Sequence, residues 1–364
     1  MLVKESGRKL YTLEALRGMA AILVVFSHAI ITSIDKFGGD PNSRPFGHSL
    51  GSIGVRVFFL ISGFVMIYCH EGDFGQAGAQ RAFTRKRLIR IVPLYWITTL
   101  IYYVKLRTMR QEAGLLSLTL SFLFIPYQKV GEAFGLPLYV VGWTLQYEMF
   151  FYLIFAIALY FRTSFGVMLI VAAICTMVCM QTGGLFGNQS ILSYLGQPII
   201  LYFVGGVLIG LVRRHGITKY KWRPNSAGAF IFASGILILA AIIMQRSDDA
   251  KFVEPGACLI AFSICAIASE GYSTDRFSTV AKYLGDATYS IYLTNSLILG
   301  FSGRIVDKLL PSLPLAYFIV LMVPASVVVG LLSYRFVEKP IMVGLNRLTA
   351  GRRTQSRETI IKHV

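Results

Sequence analysis

Residues 13–34 read LEALRGMAAILVVFSHAIITSI, and this stretch decides the fold. Its 22 residues would rise about 33 Å as an α-helix, enough to cross the hydrocarbon core of a bilayer. Within it Arg17 and His28 stand with ten residues between them. Eleven helical steps of 100° amount to about 1100°, which falls roughly 20° from a whole number of turns. Arg17 and His28 therefore share a face, roughly 16 Å apart along the axis. Such groups are costly inside a membrane helix and mark functional sites there.

The rest of the chain repeats the apolar pattern. Of 364 residues, 55% are hydrophobic and 15% charged, with a mean hydropathy of +0.63, far from the composition of a soluble domain. Apolar runs of about 17–24 residues predict an all-α polytopic bundle of about ten transmembrane helices. They fall near 13–34, 53–70, 91–107, 138–161, 165–181, 193–212, 226–245, 255–270, 280–300 and 315–335. Residues 115–125 are apolar but too short to span, and are expected to dip in or lie at the interface. With an even count, both termini share a side. Placing them in the cytoplasm puts 23 basic residues inside and 10 outside, as the positive-inside rule requires. Lys4, Arg8 and Lys9 ahead of an apolar run resemble a signal peptide, but no small-residue cleavage motif follows and a retained first helix is expected. Residues 1–340 read as one transmembrane domain and 341–364 as a basic cytoplasmic tail. A formal charge of +17 does not imply nucleic acid, because no soluble basic module carries it. The five cysteines lie in apolar runs without the paired spacing of a metal site, so no metal is expected.

Four further segments with polar residues stand out. In VGWTLQYEMFFYL, Thr144, Glu148 and Tyr152 follow at four-residue steps on one helical face. Glu148 has no cation within a turn of its own helix and needs a partner across an interface. A couple with His28 would serve both, the carboxylate fixing the imidazole tautomer. In RAFTRKRLIRIVPLYW, Arg81, Arg85, Lys86, Arg87 and Arg90 crowd the start of the third span. Two readings stand: a topology signal with lipid head-group contacts, or a clamp for a phosphorylated ligand. Finally, GVRVFFLISGFVM carries Arg56, Ser62 and Gly63, and LGDATYSIYLTNSL carries Thr288, Tyr292 and Asn295 on one stripe. Ser62-Gly63 suits close helix packing as well as binding. Arg56, Trp143, Tyr147, Tyr292 and Asn295 are candidate substrate-binding residues.

At these blocks, together with a closing YRFVEKPI, the chain resembles the acyltransferase-3 family of integral membrane acyltransferases, in its exopolysaccharide-production branch. The blocks run in order from about residue 11 to 340, and it is the ordered set that is specific. The resemblance implies transfer of an acyl group, usually acetyl from acetyl-CoA, to a sugar hydroxyl of an exopolysaccharide or its lipid-linked precursor at the bacterial inner membrane. It makes His28 the catalytic histidine and Arg17, Arg87 and Arg90 donor-binding candidates; the residues themselves add Lys86 beside the arginines and Glu148 as a second catalytic candidate. Glycan assembly or export machinery is the implied partner. One departure is evident: many members carry histidine where this chain has Asn295. The alternatives are another donor, such as succinyl-CoA, or a proton-coupled glycan transporter, which would be expected to show broken helices and a repeat pair.

Overall fold

The computed structural model describes residues 10–37, 39–111, 113–128, 134–187, 190–215, 226–246, 253–268, 276–309 and 315–349. Among them there is no strand, and each of the ten expected stretches carries a helix. The long helices are α1 (Tyr11–Phe37), α2 (Arg44–His70), α3 (Ala79–Thr108), α5 (Trp143–Ala158), α6 (Thr163–Thr182), α8 (Leu201–His215), α9 (Ser226–Arg246), α10 (Val253–Ala268), α11 (Arg276–Leu309) and α12 (Leu315–Ser333). Two short ones, α4 (Leu115–Phe122) and α7 (Ile191–Leu195), lie between them. Among the described residues, seven helices are long and apolar enough to cross a membrane; α9 and α10 contain shorter apolar segments.

Boundaries depart from the hydropathy reading where backbone chemistry intervenes. The apolar run at 193–212 is broken into α7 and α8, because Gln197 is extended before Pro198 (φ −63°, ψ 144°), as a residue preceding proline is driven to be. The run at 138–161 contains a tight turn, Val140–Gly142, before α5 begins. α12 passes into one π-helical turn, Tyr334–Glu338, and the helix continues through residues 339–349. The rest of the expected basic tail, 350–364, lies outside the described residues. α4 lies beside α3, tied by a hydrogen bond from the Trp96 indole N–H to the Phe122 carbonyl (3.0 Å).

α1 occupies the centre, flanked by α2, α11 and α12. α1 and α11 run parallel: Gly18 meets Leu284 at one level, and ten residues further His28 meets Asn295. α2 packs on α8 through glycine. A Cβ on Gly63 would fall 2.0 Å from the Phe203 carbonyl oxygen, and one on Gly206 2.1 Å from that of Leu60. The backbones are in direct contact, as small residues permit between membrane helices. Phe59, Phe151 and Phe203 stack alongside (centroids 4.3 and 4.4 Å).

Candidate active site

A cavity opens between α1, α2, α5 and α11. Arg17 reaches it from α1; Val55, Phe58, Phe59 and Ile61 from α2; Thr144, Leu145 and Glu148 from α5; Thr288, Tyr289 and Tyr292 from α11. Helical spacing explains the selection, since Thr144 and Glu148 are one turn apart, as are Thr288 and Tyr292. Thr144 and Tyr292 join across the cavity by a hydroxyl–hydroxyl bond of 2.7 Å. Glu148 accepts from two hydroxyls, Ser62 (3.0 Å) and Tyr152 of its own face. Thus Ser62 and Gly63 divide the roles that the sequence left open: Ser62 supports Glu148, while Gly63 packs against Phe203.

The charges in and beside the cavity form one cluster. Arg17 has Arg90, Glu148, Tyr152 and Glu338 as its electrostatic neighbours, and Glu338 has Arg90 and Arg17. Arg87 lies over the rings of Phe83 and Tyr152, 5.4 Å from each centroid. Its guanidinium also donates to His70 Nε2 (3.4 Å), and His70 Nδ1 donates in turn to Asp73 (2.7 Å). Arg87 Nε and Arg90 Nη2 are buried without a hydrogen-bond partner among the described residues. Three guanidiniums and two carboxylates leave one net positive charge. That arrangement suits a polyanionic ligand, whose oxygens would meet the unpartnered nitrogens.

His28, on α1 three helical turns from Arg17, meets Asn295, which lies one turn past the cavity residue Tyr292 on α11. Its imidazole is half-buried, and Nδ1 is 2.6 Å from Asn295 Oδ1. The histidine–carboxylate couple suggested by the sequence is not the arrangement found: Glu148 sits with Arg17, and the imidazole's partner is Asn295. Nor is Asn295 open to a substrate. It is fully buried, and its amide nitrogen is engaged by the carbonyls of Ile291 (3.2 Å) and Tyr292 (2.5 Å).

The other sequence candidates divide. Tyr292 lines the cavity. Arg56 points elsewhere, to Ser52 and over the Tyr202 ring at 5.5 Å, because one residue past Val55 turns it about 100° around α2. Trp143 and Tyr147 pack edge to face on each other (5.9 Å), and the Tyr147 hydroxyl donates to the Tyr194 carbonyl (2.5 Å). Lys86 is exposed. Sequence reasoning missed Glu338, which is 2% exposed and accepts from Ser290 (2.6 Å). It stands in the π-helical turn, a feature common at functional sites, and its one sequence signal was a carboxylate amid the YRFVEKPI block.

Apolar helices around a buried charged cavity define a polytopic membrane protein with its polar site inside the bundle. A profile of the acyltransferase-3 family, described as an acyltransferase domain, matches residues 10–335, and the chain belongs to that family. It is 28% identical over 318 residues to the exopolysaccharide production protein ExoZ of Rhizobium meliloti (strain 1021), covering 84% of this chain and 95% of that protein. It is also 25% identical over 378 aligned positions to the acyltransferase MdmB of Streptomyces mycarofaciens, covering 93% of each. No solved structure matches the chain. The protein is a membrane acyltransferase.

Proposed function

We propose that this protein is an O-acetyltransferase of the bacterial inner membrane, moving acetyl from cytoplasmic acetyl-CoA to a sugar hydroxyl of an exopolysaccharide or its lipid-linked repeat unit. The observation that carries the reading is a half-buried imidazole on Asn295, one turn past the Tyr292 that lines a cavity holding Arg17 and Glu148, with Arg90 and Arg87 beside Tyr152 and Glu148. The ten helices are taken as ten spans with both termini cytoplasmic. Arg90, Arg87 and Arg17 then lie toward the side where the donor is made. The parallel course of α1 and α11 supports this, since both are odd-numbered spans in that count.

In the proposed reaction the arginines hold the phosphates of coenzyme A. The neutral imidazole of His28 takes the proton of the sugar hydroxyl as its oxygen attacks the thioester carbonyl. The tetrahedral intermediate collapses with cleavage of the C–S bond, and the departing thiolate takes the proton from the imidazolium. Transfer is direct, so no acyl-enzyme forms. Glu148 stands with Arg17 in the cavity and supports the electrostatics of the bound donor. The name of the exopolysaccharide-production relative supports a glycan acceptor.

The test is mass spectrometry of surface polysaccharide from cells expressing the protein or its His28→Ala variant. The expected result is O-acetyl groups present with the former and absent with the latter, at equal levels of folded protein. Acetylation undiminished in the variant, or polysaccharide unchanged when the protein is removed, would refute the proposal.

A further inference from the structure

We infer that Asn295 is a positioning residue that locks His28 in the Nδ1–H tautomer and thereby makes Nε2 the basic atom; this rests on the reading of His28 as the general base. The argument begins at the far end of the Asn295 side chain. Its Nδ2 lies 3.2 Å from the Ile291 carbonyl oxygen and 2.5 Å from that of Tyr292. Both are acceptors only, so the atom facing them must be a donor. A flipped amide would set its own oxygen against two carbonyl oxygens in a fully buried position, an arrangement with no compensating bond. The amide orientation is therefore fixed by the backbone of α11.

The oxygen of that amide then faces His28 Nδ1 at 2.6 Å. Oδ1 can only accept, so Nδ1 must carry the hydrogen. A neutral imidazole has one N–H, and the lone pair falls on Nε2. Two backbone carbonyls thus dictate, through one side chain, which ring nitrogen can take a proton. Protonation of Nε2 leaves the Nδ1–H bond to Asn295 in place, so the ring keeps its orientation through the proton transfer. This gives the departure at position 295 a physical meaning: a neutral amide stands there, able to orient the imidazole but unable to take its proton.

The experiment is 15N NMR of the full-length protein in lipid nanodiscs with 15N-labelled histidine, the His28 signals being those lost in His28→Gln. A wild-type spectrum with a protonated Nδ1 and an unprotonated Nε2 at neutral pH is expected. In Asn295→Leu that preference should disappear, and turnover should fall by on the order of a hundred-fold, with the KM for the acyl donor unchanged. An Nε2–H tautomer in the wild type would overturn the inference, whatever the activity and whether or not the leucine variant folds. A leucine variant with the same tautomer and the same turnover would also overturn it. A separate failure belongs to the function itself: full turnover in His28→Ala would remove the base while leaving the tautomer measurement valid.

Discussion

Arg87 and Arg90 lie one turn apart on α3, yet their substitution should have different consequences. Arg87 is held by two ring faces at 5.4 Å and by His70 at 3.4 Å. Each cation–π contact is worth about 0.5–1 kcal/mol and the long hydrogen bond about 0.5–1 kcal/mol, so Arg87→Ala should cost roughly 1.5–3 kcal/mol of stability before any ligand binds. Arg90 has a terminal nitrogen buried without a hydrogen-bond partner among the described residues, and its neighbour Glu338 keeps its bond from Ser290. Arg90→Ala should therefore shift Tm by no more than a few degrees. If the arginines hold coenzyme A phosphates as proposed, each change removes a contact worth about 1.5–3 kcal/mol and should cost about ten- to hundred-fold in affinity for coenzyme A. Titration calorimetry with coenzyme A and thermal unfolding, both in detergent, separate the two effects. Unchanged coenzyme A affinity in the double variant would refute the phosphate assignment and return the cluster to a topology signal. Equal losses of Tm in the two single variants would refute the reasoning about how Arg87 is held.

Three further outcomes follow from the geometry. Glu148→Gln keeps an oxygen for the Ser62 and Tyr152 hydroxyls but removes the charge facing Arg17; folding should survive and turnover fall by on the order of a hundred-fold, and full acetate delivery would remove Glu148 from the site. Glu338→Gln keeps an acceptor for Ser290 but leaves the arginines one negative charge short, so coenzyme A should raise Tm more in this variant than in the parent; equal shifts would contradict the cluster as described. Gly63→Val would drive a Cβ to 2.0 Å from the Phe203 carbonyl, and the resulting separation of α2 from α8 should cost about 3 kcal/mol or more, seen as lost folded yield in detergent; a normal yield would refute the close packing.

How legible all this was in the sequence depends on what each signal measures. The helices were legible because a bilayer demands long apolar runs, and the face shared by Thr144, Glu148 and Tyr152 was legible because helical period is local. Partners across helices were not. Asn295 lies 267 residues from His28, and no spacing rule relates them, so the carboxylate of α5 looked like the better match for the imidazole. Arg56, Trp143 and Tyr147 were drawn in by proximity in sequence to real cavity residues, although one residue of offset turns a side chain about 100° away. Glu338 was hidden differently: the π-helical turn that places it changes the helical phase after Ser333, which apolar periodicity does not register.

The glycine contact between α2 and α8 has a consequence for how much the cavity can widen. With carbonyl oxygens where Cβ atoms would otherwise stand, these two helices are packed backbone to backbone as one plank. Four residues of that plank, Val55, Phe58, Phe59 and Ile61, form one wall of the cavity. On the proposed placement of the donor, an acyl chain longer than acetyl would have to displace the opposite side, where the Thr144–Tyr292 hydroxyl bond joins α5 and α11. If the cavity takes the acyl donor as proposed, smaller residues at Thr144 or Tyr292 are where a relaxed donor range would first be found.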